Sequence, residues 1–515
     1  MSTRKARFLA GLAILGILAT ACKAAGPPEP SYYLAPPAPS PQDIGPTYGG
    51  LNPVNGQPYH DVFFENYGVN PFVDTEDDQL STFALDVDTG SYTVARRYLS
   101  DGYLPPKDAI RVEEFVNFFD LNYAEPERSA FSINLDGGPT PFVQNERYRV
   151  IRIGIQGMDV PDEERADAVL TFVIDVSGSM GYENRLEAVK RALSSMVETL
   201  RPQDQVGIVV YGSDARVVLE TTPVSERRAI LRAIERLEPE GATNAEAGLR
   251  LGYRMASEAF SPEKINRVIL CSDGVANVGE TGPDAILEAI RGYADEGIQL
   301  TTVGFGMGNY NDVLMERLAD DGDGFYAYVD TAAEAEKLFV ADLTGTLQTI
   351  ALDAKIQVEF NPEVVTRYRL LGFENRALMD EEFRDDSADA GEIGAGHSVT
   401  ALYEVKLTEG AQGTIAKVAL RWEDPQSHEV TELTESIASE ALALSFDKMS
   451  PTFQLAVFVA EYAEILRESY WAQNFTLEGL AEELSGFDLG AFDDEEILEF
   501  GELVDRAVDL SGQEE

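Results

Sequence analysis

Two cysteines and three histidines are all that 515 residues contain, and the shortage excludes several protein classes. With so few cysteines a disulfide framework is out of reach. Cys271 lies in an apolar stretch far along the chain from His60, His397 and His428, so it reads as a buried core thiol rather than a nucleophile. The chain also lacks H-E-x-x-H, G-x-S-x-G, a phosphate-binding P-loop and CxxC, and no catalytic residue is nominated. Basic residues are few: 40 Lys and Arg stand against 90 Asp and Glu, for a formal net charge of −50. Such a surface opposes binding to nucleic acid or to anionic lipid.

What is present, 44% apolar and 25% charged residues, is the composition of a globular protein long enough for two or three domains. Arg4, Lys5 and Arg7 precede an uncharged apolar run from Phe8 to Ala21 that ends at Ala19-Thr20-Ala21-Cys22. The run is too short to span a bilayer and reads as a secretory signal over residues 1–22. It resembles a bacterial lipoprotein signal, which implies a lipid anchor on Cys22 and a place in the cell envelope. Lys23 gives no inner-membrane retention signal, which favours the outer membrane in a double-membraned cell. Ala19-Thr20-Ala21 also suits ordinary cleavage, with plain secretion as the alternative. Residues 23–59, rich in Pro, Gly, Ser and Ala, read as a disordered tether.

Residues 60–165 mix strand-like and helix-like stretches and read as an α+β accessory domain. Within them Thr82-Phe83-Ala84-Leu85-Asp86-Val87-Asp88 echoes Thr171-Phe172-Val173-Ile174-Asp175-Val176-Ser177. A strand and turn suffice to explain the echo; a second, degenerate metal site is the alternative.

From Ala168 the pattern becomes regular. Apolar Val169 to Ile174 predicts a strand buried on both faces of a parallel sheet, and Leu186, Val189, Leu193, Met196, Val197 and Leu200 recur at helical spacing. Strands and helices then alternate to about residue 346, which predicts a doubly wound α/β domain over 166–346 whose ligand sits outside the carboxyl ends of the strands. Asp175, Ser177 and Ser179 leave the first of those strands, Thr243 lies on a separate loop, and Asp273 follows another buried strand. An all-oxygen set of this kind suits a hard divalent ion, Mg²⁺ before Mn²⁺ or Ca²⁺.

These residues resemble the von Willebrand factor type A (vWA) family, whose metal-ion-dependent adhesion site has the D-x-S-x-S motif, a loop threonine and a third-loop aspartate. Asp175, Ser177, Ser179, Thr243 and Asp273 match those positions in order, and the flanking segments resemble those of bacterial vWA lipoproteins. The resemblance implies a Rossmann-like fold and a metal with a coordination position open to an acidic residue of a protein partner. It also implies a last helix, here about Ala332 to Leu343, that shifts in some members. A binding or scaffold protein of the cell envelope is therefore expected, not an enzyme. A metal-dependent hydrolase is one alternative; a structural envelope component whose metal only stabilises loops is the other.

Asp320-Asp321-Gly322-Asp323-Gly324 superficially suggests a calcium loop, but Ala319 stands where the first ligand belongs, so a turn is expected. Residues 347–440 read as a β-rich region with an exposed acidic loop from Asp380 to Glu392. Residues 441–515 read as helical, with Pro451 to Tyr470 the clearest helix.

Overall fold

A computed structural model describes residues 62–142, 145–274, 283–307 and 310–512; the signal segment, Cys22 and the tether lie outside the described residues. The first described part carries β1 (Val73–Asp74), β2 (Leu80–Ala84), α1 (Gly90–Ser100), α2 (Val112–Asn117), β3 (Phe131–Gly138) and β4 (Tyr148–Gly157). Next come β5 (Ala168–Asp175), α3 (Arg185–Thr199), β6 (Gln205–Tyr211), β7 (Ala215–Pro223), α4 (Arg227–Glu235), α5 (Ala245–Ala259) and β8 (Ile265–Ser272). These are followed by α6 (Pro283–Ala294), β9 (Gln299–Phe305), α7 (Asp312–Asp320), β10 (Tyr326–Val329), α8 (Ala332–Glu336) and α9 (Leu343–Leu347). The last part comprises β11 (Thr349–Phe360), β12 (Val365–Leu371), β13 (Gly391–Gly394), β14 (Ser398–Leu407), β15 (Thr414–Glu423), β16 (Val430–Ala438), α10 (Pro451–Leu466), α11 (Leu477–Ser485) and α12 (Glu495–Ser511).

The middle segment forms a six-stranded sheet in the order β10-β9-β8-β5-β6-β7, parallel except for the edge strand β7. Every residue of β5 is buried, and its side chains alternate between two cores. Leu170, Phe172 and Ile174 pack beneath α3, α4 and α8, while Val173 faces α5, α6 and α7. This is the period-two burial that a central strand covered on both faces requires. Because β6 lies on one side of β5 and β8 on the other, the strand order reverses at β5, opening a crevice at its carboxyl end. The predicted last helix is not continuous: α8 runs into a π-helical turn, Lys337–Ala341, before α9.

The segments before and after this sheet are not separate bodies, as the division into 60–165, 347–440 and 441–515 supposed. One antiparallel sheet has the order β1-β12-β14-β4-β3, with Arg152 opposite Leu402. The other contains β13, β11, β15 and β16, and β2 pairs with β11. The two sheets share a core of residues such as Ile153, Tyr403, Phe83, Ile356 and Val418. The outer face of the first sheet, through Val150, Leu371 and Leu402, packs on α2, α10, α11 and α12. The α/β unit is thus inserted into a β-sandwich with a helical layer. The acidic stretch is only partly an exposed loop, since Phe383 is fully buried and Gly391–Gly394 joins a sheet. No helix among the described residues is long and apolar enough to cross a membrane.

Candidate functional site

The site forms where the chain leaves β5. Asp175 ends the strand, fully buried. Its Oδ1 accepts the backbone N–H of Ser177 at 2.7 Å and its Oδ2 accepts the Ser272 hydroxyl at 3.0 Å. The two carboxylate oxygens are thereby fixed from two directions, and the turn brings the Ser177 and Ser179 hydroxyls 3.0 Å apart.

A second loop straps this turn. Gly178 N–H donates to the Gly241 carbonyl at 3.1 Å, and Glu240 N–H donates to the Val176 carbonyl. Gly241 adopts φ +72°, and a Cβ there would lie 2.4 Å from the Ser213 hydroxyl, so only glycine fits. Thr243 follows on the strap, part-exposed, directly before Asn244, whose side chain caps α5 by accepting Ala247 N–H at 3.1 Å.

The third loop begins at the end of β8 with Ser272 and Asp273, both buried. Arg185, the first residue of α3, donates from Nη1 to Asp273 Oδ2 at 2.7 Å and from Nη2 to the Met307 carbonyl. Gly306 at φ +80° leaves room for that guanidinium, because a Cβ would meet Arg185 Nε at 2.5 Å. The loop bearing Ser179 also holds Glu183 and Asn184 at positive φ and displays Tyr182, 53% exposed. Strained non-glycine backbone of this kind clusters at binding sites.

The electrostatics follow from burial. Burial, then the facing charge of Asp273, push Asp175 up to about 6. Asp273 is also raised by burial, against the pull of the Arg185 guanidinium and the Ser179 hydroxyl. Two buried carboxylates face each other with one guanidinium bound to one of them. The surrounding donors are all oxygens, and that arrangement fits a hard cation.

The structure therefore brings Asp175, Ser177, Ser179 and Asp273 together and puts Thr243 on the loop strapped over them. Sequence reasoning missed Ser272 and Arg185. Ser272 is adjacent to a motif residue, but nothing in the pattern pointed to Arg185. Cys271 is fully buried in β8, and burial pushes its thiol far up. A maleimide reagent is expected to label Cys271 only after unfolding; labelling of the native protein would refute that burial.

A doubly wound sheet with these three loops at its carboxyl edge defines a vWA-domain protein. The von Willebrand factor type A model matches residues 170–341, the model described as von Willebrand factor matches 59–151, and that described as Uncharacterized protein YfbK, C-terminal, matches 345–417 and 409–510. The chain belongs to the family of the uncharacterized protein YfbK of Escherichia coli (strain K12), to which it is 35% identical over 479 residues, 87% of this chain and 82% of that protein. It is 27% identical to the uncharacterized protein sll0103 of Synechocystis over 59% of this chain and 72% of that one. Over 47% of this chain it is also 27% identical to human inter-alpha-trypsin inhibitor heavy chain H3, of which it spans 28%. Among solved structures, a von Willebrand factor type A protein from Catenulispora acidiphila covers 71% of this chain and 89% of its own at 16% identity and TM-score 0.42. vWA proteins often mediate protein interactions, and vWA domains commonly bind divalent metal ions.

Proposed function

We propose that this protein is a binding or scaffold component of the cell envelope that engages a protein partner through a divalent cation, Mg²⁺ in the first place. Ser177, Ser179 and Thr243 would hold the ion with Asp175 and Asp273. When bound, it would offer an electrophilic position to an acidic side chain of the partner. The observation that carries the reading is the pairing of Asp273 with Arg185. With one of the two carboxylates already neutralised, the site supplies little net negative charge, and a partner's carboxylate completes it. Tyr182, exposed on the Ser179 loop, adds the kind of aromatic contact that anchors protein interfaces. Binding rather than turnover is the proposed role. A lipid at Cys22 would tether the protein to the envelope membrane, with residues 23–59 as spacer.

Calorimetric titration of Mg²⁺ and Mn²⁺ into the EDTA-stripped chain, beside a Ser177→Ala, Ser179→Ala variant, tests this. Saturable binding to the Asp175 site in the unmodified protein, lost in the variant, is expected, together with partner capture that EDTA reverses. Equal heats in the two proteins would mean that acidic surface, not Asp175 and its neighbours, collects the ions, and the reading would fall.

A further inference from the structure

Acidic residues outnumber basic ones 90 to 40 over the chain, so an exposed helix face is expected to be acidic. On α4 the balance is reversed. The helix buries Ile230 and Ile234, with Leu237 just beyond its end, in the core it shares with β5 and α3. At about 100° per residue the opposite side carries Arg228, Arg232, Glu235 and Arg236, and all four are exposed. Three of the four are arginines, spaced i, i+4 and i+8 in a stripe about 12 Å long. Among the described residues their guanidiniums have no ion-pair or hydrogen-bond partner. They differ in this from Arg96, Arg111 and Arg376, each gripped by buried carboxylates that tie the fold together.

The stripe ends beside the Asp175 site. Arg236 is followed by Leu237, Glu238 and Pro239, and then by Glu240, whose N–H donates to the Val176 carbonyl. Four residues of chain extend no more than about 14 Å. Pro239 also touches the Ser179 loop, since a Cβ on Gly181 would lie 3.3 Å from its ring. The next residue of that loop is the exposed Tyr182. Of the carboxylates close by, Glu240 is paired with Arg216 at 2.9 Å, which leaves Glu235 and Glu238 against the three arginines.

A metal that seeks a carboxylate sets an electrostatic problem, because the carboxylate must approach a chain of net charge −50. At physiological ionic strength exposed charges act over about 8 Å, so the groups nearest the ion decide whether further acidic side chains are tolerated there. A row of unpartnered guanidiniums makes the surface locally attractive. Guanidinium is also the cation whose fork of N–H donors matches a carboxylate with two parallel bonds.

We infer that the outward face of α4, through Arg228, Arg232 and Arg236, is a docking surface for an acidic segment of the protein partner. The inference deepens the proposed function and rests on it in one respect: the partner's metal-bound carboxylate belongs to, or adjoins, the segment that lies along α4. Charge complementarity selects this occupant. The partner already has to present an acidic group at the Ser179 loop, and the only row of groups continuing from that loop along α4 is cationic. The partner is thus a protein with a run of Asp or Glu, not one with a single acidic residue in a neutral surface.

The probe is a fluorescein-labelled peptide of about ten glutamates, long enough to run from the Ser179 loop along α4. Fluorescence anisotropy follows its binding to the full chain in Mg²⁺ at about 0.15 M salt, and binding that EDTA weakens is expected. Arg228→Gln, Arg232→Gln and Arg236→Gln together should weaken it by about tenfold, the scale of three exposed charge pairs, while Mg²⁺ affinity by calorimetry does not fall and circular dichroism is unchanged. A matched variant, Arg254→Gln, Lys417→Gln and Lys448→Gln, removes the same charge from exposed positions on α5, on β15 and before α10, and should bind the peptide as the unmodified chain does. Undiminished binding by the α4 variant, an equal loss in the matched variant, or no binding to the unmodified chain would each overturn the inference. Self-association in sedimentation that the α4 variant abolishes would overturn it too, since a second copy would then occupy the stripe. Ser177→Ala with Ser179→Ala separates the two readings. If it abolishes binding and the α4 variant does not, the stripe falls and the metal-bridged reading stands; if it and EDTA leave binding untouched while the α4 variant loses it, the stripe stands and the metal-bridged reading falls.

Discussion

Replacing Arg96 with methionine should lower the free energy of unfolding by about 3–5 kcal/mol, the usual result of stripping a buried charge from its partners. Arg96, on α1, is 4% exposed. It grips Asp330 with two parallel bonds of 2.8 and 2.7 Å, reaches Glu334 at 2.9 Å and Glu499 at 3.0 Å, and lies 5.2 Å from the centre of the Phe118 ring. Asp330 follows β10 and Glu334 lies in α8, so both belong to the inserted unit, while Glu499 is on α12. One side chain thus pins the insert to the helical layer. Methionine fills the space but leaves two carboxylates buried beside it.

The effect should depend on pH in a defined sense. Burial already pushes Glu334 up to about 7, against the pull of Lys337 and Arg96. Without Arg96 it rises further. A carboxyl whose folded pKa exceeds its unfolded value binds the proton more tightly when folded, so stability falls as pH rises through the folded value. The deficit of Arg96→Met should therefore be larger at pH 8 than at pH 5.5. Adding Asp330→Asn and Glu334→Gln should recover part of it. Urea unfolding of the three proteins at both pH values measures this; a deficit under about 1 kcal/mol, equal at the two pH values, would show that Arg96 does not hold the insert.

The inserted unit was legible because its folding is local. Each buried parallel strand is a short apolar run, as in Val169 to Ile174, and each helix follows within a few residues, so periodicity reports both. The sandwich was not legible for the opposite reason. The stretch Tyr148 to Gly154 announces a strand, but nothing in it says that Arg152 faces Leu402, 250 residues on. Antiparallel pairing across an insertion depends on matched faces and on where the insert's ends emerge, neither of which shows in a window of sequence. Likewise the D-x-S-x-S spacing revealed Asp175, Ser177 and Ser179, whereas Ser272 and Arg185 act only because β8 and α3 come to lie beside β5. The π-helical turn at Lys337–Ala341 was equally hidden, since a single inserted residue leaves the apolar spacing nearly unchanged.

Arg185 gives the proposed function its sharpest expected result. Its guanidinium holds Asp273 at 2.7 Å, with both groups buried. In the metal-free protein that pair is the main compensation for the Asp273 charge. Arg185→Met leaves the carboxylate uncompensated and the Met307 carbonyl without its donor, so the metal-free form should lose about 3–5 kcal/mol. Metal binding should move the other way. A released Asp273 carboxylate turns wholly to the ion, and Mg²⁺ affinity should rise by about tenfold, equivalent to about 1.4 kcal/mol. The ion then receives more negative charge from the protein and has less need of a carboxylate from outside, so EDTA-reversible capture of an acidic partner should weaken. Opposite signs for metal affinity and partner affinity are the signature of a residue that keeps the ion short of charge. If Arg185→Met lowers both together, Arg185 merely supports the fold of the Ser179 loop, and the charge-deficit account of the site fails.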